Sequence, residues 1–176
     1  YNSVMVRSKL IIGGSNFIFN HINVNYQKYL NHKKKKLMVI FRGINLEYFN
    51  TNNIPEEKLN ILASNWKIDK KNFIILLPGR LTKWKGQEIF IESLSLLVEK
   101  YNIENFHAVI LGSDQGRDLY SKKLLLLVER YRLGKKITFI ENCKEMPLAY
   151  KLSDLVISSS IEPEAFGRVA VEAQAM

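Results

Sequence analysis

Residues 73–112 read FIILLPGRLTKWKGQEIFIESLSLLVEKYNIENFHAVILG, and the order of patterns within them decides the fold. Phe73–Leu77 and Phe106–Leu111 are apolar runs of strand length. Between them, after Gly86, the residues Phe90, Leu94, Leu97, Val98 and Tyr101 recur at three- and four-residue spacing, which predicts a helix with one buried stripe. A strand, a helix and a second strand joined by short loops predict parallel pairing with a right-handed crossover.

Working outward, the alternation continues. Ile137–Ile140 and Leu155–Ile157 read as further strands, and a second helix is expected from about Asp118 to Leu133, stopped by Gly134 in a left-handed C-cap. Toward the N-terminus, Leu10–Gly13 is a short strand ending in glycines, and Ser15 stands as the N-cap of a helix through about Leu30. Leu37–Phe41 is another strand; the asparagine-rich stretch from Arg42 to Asn53 reads as a linker, and Pro55 suits the first turn of a helix ending near Trp66. The expected fold class is α/β, a Rossmann-like parallel sheet with helices on both faces.

Composition narrows the functional classes. The net charge is +9, but seven of the 26 Lys and Arg residues and none of the 17 acids lie in residues 1–40, so the excess belongs to one end. Lys33, Lys34, Lys35 and Lys36 form a run that reads as a solvated loop or, more sharply, as a contact with anionic lipid head groups. No basic stripe is interleaved with aromatics, so nucleic acid is not an expected partner. No apolar run approaches the roughly 18 residues needed to span a bilayer. No charged leader opens the chain, and the single cysteine, Cys143, excludes an internal disulfide; both fit a cytoplasmic location.

In open parallel sheets, ligands bind outside the carboxyl ends of the strands. That rule selects the loops Pro78–Lys85, Gly112–Gly116, Glu141–Glu145 and Ser158–Gly167, where the unusual residues gather. Arg80 and Lys85 flank one loop entering a helix, so two cations can converge on one anion, most naturally a diphosphate. Phe166 and Gly167 stand where the last helix begins, and unpaired amides there make a second anion site that glycine lets a phosphate approach. Glu164 and Glu172 have seven residues between them. The helix rises about 7.5 Å from Gly167 to Glu172, the span from a diphosphate to a ribose, and a carboxylate accepts from both hydroxyls of a vicinal diol.

The stretches GRLTKWKGQEIFIESL (79–94) and EPEAFGRVAVEAQAM (162–176) resemble the donor domain of family-4 retaining glycosyltransferases of the GT-B fold. GSDQGRDLYSKKL from Gly112 resembles that family's glycine-containing loop, with Arg117 where a proline is usual. FRGINLEYF (41–49) resembles its interdomain segment, with Arg42 and Asn45 in place of an asparagine and an aspartate. The resemblance implies three parts: residues 1–41 as a remnant of the acceptor domain, 42–72 as linker and first helix, and 73–176 as an incomplete donor domain. It implies that Gly79, Arg80, Lys85, Gly112, Phe166, Gly167, Arg168 and Glu172 bind a nucleotide-sugar. Arg80, Lys85 and Glu164 would serve catalysis, with Glu164 facing the transferred sugar, Glu172 on the ribose, and the segment from Ile140 to Met146 beside the nucleobase. It further implies a glycan or lipid-linked acceptor, no cofactor and no metal; no Asp-x-Asp pair or histidine cluster supplies one, and His21, His32 and His107 are scattered. A noncatalytic nucleotide-sugar-binding module and a nucleotide-sugar epimerase of the same fold are the competing expectations. A chain of this extent is expected to bind nucleotide without transferring sugar alone.

Overall fold

The computed structural model describes residues 2–31, 36–116 and 118–176; His32, Lys33–Lys35 and Arg117, named above, lie outside these. The chain forms two compact units. One comprises the residues up to Ile44 together with Glu164–Arg168, the other Asn45–Pro163 with Val169–Met176.

In the first unit, β1 (Leu10–Gly13) pairs in parallel with β2 (Lys36–Val39), Leu10 opposite Lys36. The expected long helix is two: α1 (Asn16–Asn25) and α2 (Gln27–Asn31). Ser15 caps α1, its hydroxyl accepting from the Ile18 amide at 3.3 Å. The break falls at Tyr26, where Asn25 turns its side-chain amide back to the His21 carbonyl at 2.9 Å. Such side-chain bonds compete with helix continuation.

In the second unit, α3 (Glu56–Trp66) follows Pro55, which stands at its N-cap rather than in its first turn. Four parallel strands follow: β3 (Phe73–Pro78), β4 (Phe106–Leu111), β5 (Ile137–Ile140) and β6 (Leu155–Val156), in the order β5-β4-β3-β6. The connecting helices are α4 (Gln87–Glu99), α5 (Asp118–Arg130) and α6 (Met146–Leu152), and α7 (Arg168–Ala175) closes the chain. The chain steps from β3 to β4 to β5 and then returns to pair β6 with the other edge of β3, so right-handed crossovers place α4 and α5 on one face and α6 on the other. Ile75, Leu77, Ala108 and Ile110 accordingly join Phe90, Ile91, Leu94, Leu124 and Val128 in one buried cluster. Ile74, Leu76 and Val109, also buried, point the opposite way, since side chains alternate along a strand. On that face α6 packs on β3 and α3 packs on α6. Burial on both faces is why β3 and β4 read as continuous apolar runs.

Two helix details differ from expectation. Tyr101 lies beyond α4 and is 57% exposed, while Gln87, Ile91 and Ser95 complete the buried stripe. The helix α5 ends at Arg130, and Arg132, not Gly134, takes the left-handed conformation (φ 55°), with the Leu133 amide bonded to the Val128 carbonyl at 2.9 Å. That closure satisfies the terminal carbonyls without glycine. His107 on β4 meets Thr138 Oγ1 through Nε2 at 2.8 Å, and burial lowers its pKa. The stability this neutral imidazole contributes is fully present above the unfolded pKa near 6.5 and is lost as pH falls from there toward the lowered folded value.

Candidate functional site

The strand order reverses between β3 and β6, and in such sheets the crevice for a ligand opens at the carboxyl ends beside that switch. The loop leaving β3 is fixed first by its neighbour from β4: the Gly79 amide donates to the Leu111 carbonyl at 2.8 Å and the Leu81 amide to the Ser113 carbonyl at 3.0 Å. Gly112 makes this approach possible, because a Cβ there would lie 2.1 Å from the Gly79 carbonyl oxygen. A single 3-10 turn, Lys83–Lys85, then leads into α4 through Gly86. The Lys85 stem runs beside Gly79, its Cδ 3.4 Å from where a Gly79 Cβ would stand, and its Nζ lies 4.4 Å from the centre of the Trp84 ring. Arg80 is exposed.

These loops and the one leaving β5 surround a cavity of about 490 Å³, lined by Gly79, Arg80, Gly112, Ser113, Glu141 and Cys143 among others. The fourth loop, leaving β6, is bonded to the same turn: Ser159 Oγ donates to the Lys85 carbonyl at 2.9 Å, and the Ile161 amide to the Trp84 carbonyl at 2.8 Å. The structure thus gathers Gly79, Arg80, Lys85 and Gly112 at one end of the sheet, where Arg80 and Glu141 both line the cavity and the Lys85 stem runs beside Gly79. The Gly112–Gly116 loop is itself ordered by Asp114, whose carboxylate accepts from the Gly116 amide at 2.9 Å and from Ser121 Oγ at 2.9 Å.

Glu164, Phe166, Gly167 and Arg168 belong to the other compact unit. There Ser15 Oγ donates to the Ala165 carbonyl at 2.8 Å, so the hydroxyl that caps α1 also holds this segment. Gly167 is left-handed (φ 74°) with open space around its Cα, and α7 begins at Arg168. Glu172, on α7, is buried at 6% exposure, and its Oε2 accepts from the Tyr150 hydroxyl at 2.8 Å. Sequence reasoning did not single out Tyr150, which sits in an apolar helix pattern; the signal lies in the requirement that a buried carboxylate be hydrogen-bonded. Tyr150→Phe should therefore cost about 1–3 kcal/mol of stability by removing a donor from a buried acceptor. Urea denaturation measures it, and an unchanged midpoint and slope would show that Glu172 does not depend on this bond.

Among the described residues, no His, Cys, Asp and Glu side chains are grouped as metal ligands would be, and no helix is long and apolar enough to cross a membrane.

A parallel sheet with a loop-lined cavity at its carboxyl edge defines the class, a Rossmann-like α/β domain. Residues 60–176 match the family of glycosyl transferases group 1, and the chain belongs to it. A glycosyltransferase structure from Rickettsia africae superposes with a TM-score of 0.85 at 35% identity, covering 100% of this chain and 44% of its own. Anabaena HepE in complex with UDP and glucose gives 0.78 at 25% identity, covering 96% and 42%. The Campylobacter jejuni N,N'-diacetylbacillosaminyl-diphospho-undecaprenol alpha-1,3-N-acetylgalactosaminyltransferase is 31% identical over 161 residues, 88% of this chain and 41% of that protein. The chain spans less than half the length of the curated relatives it matches.

Proposed function

We propose that this chain supplies the donor-binding part of a family-4 retaining glycosyltransferase, which moves a sugar from a nucleoside-diphosphate donor to a hydroxyl acceptor. The observation that carries the reading is that Arg80 and Gly79 line the cavity at the sheet's carboxyl edge while the Lys85 stem runs beside Gly79. Arg80 takes diphosphate oxygens in a bidentate grip and Lys85 adds a point charge. As the bond from the anomeric carbon to the phosphate oxygen breaks, negative charge grows on the leaving diphosphate, and cations already in place lower that barrier without reorganising. Glu172 accepts the ribose hydroxyls, with Tyr150 fixing the orientation of the carboxylate. Glu164 is assigned to the transferred sugar, and the amides from Phe166 to Arg168, where α7 begins, to an anion. No metal takes part.

The lipid-linked substrate in the name of the Campylobacter relative favours a glycan or lipid-linked acceptor, in surface polysaccharide or glycolipid assembly at the cytoplasmic membrane face. Lys33–Lys36 would then meet anionic head groups. The test uses the full-length protein and a panel of nucleotides and nucleotide-sugars. A ligand at a hundred times its Kd stabilises by about 2.7 kcal/mol, visible as a thermal shift. Release of nucleoside diphosphate should then depend on acceptor. Binding without acceptor-dependent release would make the protein a sensor, and conversion of the donor sugar with no acceptor would make it an epimerase.

A further inference from the structure

Gln87 is the first residue of α4 and has no accessible surface at all (0%). It occupies the same buried stripe as Phe90, Ile91 and Leu94, where an apolar side chain would fill the space without the desolvation cost of an amide. The amide is satisfied at both ends. Its Nε2 donates to the Arg80 carbonyl at 2.8 Å, and its Oε1 accepts from the Tyr120 hydroxyl, on α5, at 3.3 Å. The orientation follows from chemistry, since a carbonyl can only accept and so must face the NH2 group. Burial, with the Glu88 carboxylate nearby, pushes the Tyr120 phenol up to about 12, so it remains a protonated donor.

The contact lands on the peptide that carries the exposed cation. The amides on either side of it are held by the strand-end backbone of β4, Gly79 on Leu111 and Leu81 on Ser113. Gln87 holds the Arg80 carbonyl from the helix side. The end of β4 and the start of α4 thereby both hold residues 79–81, and the guanidinium leaves from a backbone with little freedom to turn.

We propose that Gln87, braced by Tyr120, is a positioning residue that holds the Arg80 peptide so that the guanidinium meets the diphosphate of the donor. The proposal rests on the reading of Arg80 as a diphosphate ligand. Preorganisation of this kind raises affinity by removing the ordering cost from the binding step. It should act only through Arg80, and a double-mutant cycle separates that from general packing.

The experiment measures, in the full-length protein, the Kd of UDP against uridine and of GDP against guanosine by calorimetry. The ratio within the better-binding pair is the gain due to the diphosphate. Q87M should lower that gain by about five- to tenfold, the effect of one lost hydrogen bond at a binding group. In an R80A background, Q87M should change it by less than about twofold. Y120F, whose lost hydroxyl touches Gln87, should lower it in the same direction by less, and carries the same cycle if Q87M fails to fold. An unchanged gain in Q87M or Y120F, or equal losses with and without Arg80, would overturn the positioning role. If R80A itself leaves the gain intact, the diphosphate reading fails first and this inference falls with it.

Discussion

Arg80→Ala should weaken nucleoside diphosphate binding by roughly 10- to 150-fold, the range of a charge-assisted hydrogen bond of about 1.5–3 kcal/mol, while nucleoside binding stays within about twofold. The selectivity follows from the local structure. The backbone of Arg80 is fixed by bonds from Gly79, Leu81 and Gln87 that do not involve its side chain, so truncation deletes the guanidinium and leaves the loop in place. Lys85→Ala should show the same selectivity with a smaller loss, because an ammonium grips one oxygen at a time where a guanidinium grips two. It also removes a stem packed beside Gly79 and over Trp84, so some loss of stability should accompany it. Raising ionic strength should narrow the gap between nucleoside and diphosphate in the wild type, since both cations act near solvent and are screened. The readout is calorimetric titration of the full-length protein. Equal losses for nucleoside and diphosphate would mean that these cations do not touch phosphate.

How much of this was legible in the sequence depends on whether the deciding interaction is local. The strands Phe106–Leu111 and Ile137–Ile140 and the helix after Gly86 follow from short-range periodicity, and the structure has them. The order β5-β4-β3-β6 does not follow, because alternation of strands and helices fixes parallel pairing but not which edge receives the last strand. Arg80 and Lys85 stand out in the sequence as two cations in one strand-to-helix loop, and the structure has both in the segment between β3 and α4. Gln87 and Tyr150 do not stand out, since a polar residue within a helical stripe looks like an ordinary surface residue until its burial is known. Glu172 was read as a carboxylate facing ligand; its burial against Tyr150 is a tertiary fact, a bond between two separate helices, α6 and α7. Gly134 shows the reverse error, in which a residue type that often ends helices proved unnecessary because Arg132 took the left-handed position itself.

That error supplies the control for the second large effect. Gly86→Ala should destabilise the protein by about 3–5 kcal/mol, combining the strain of a left-handed non-glycine residue with overpacking. Gly86 has φ 72°, and a Cβ there would lie 1.9 Å from the Ser159 carbonyl oxygen and 2.9 Å from its carbon. Both are backbone atoms, so no rotamer change relieves the clash. Moving Ser159 away would stretch its hydroxyl's bonds to the Lys85 and Gly86 carbonyls and the neighbouring bond from Ile161 to Trp84. These bonds join the loops leaving β3 and β6, so the turn bearing Lys85 should loosen and diphosphate affinity should drop together with stability. Gly134→Ala, by contrast, meets nothing within 4 Å and requires no positive φ. It should be neutral or stabilising by about 0.4–1 kcal/mol, because alanine reduces the freedom of the unfolded chain. Urea denaturation of both variants with the wild type decides the matter. If Gly86→Ala unfolds at the wild-type midpoint, or Gly134→Ala loses as much stability as Gly86→Ala, then close backbone approach at Gly86 is not what holds the two loops together.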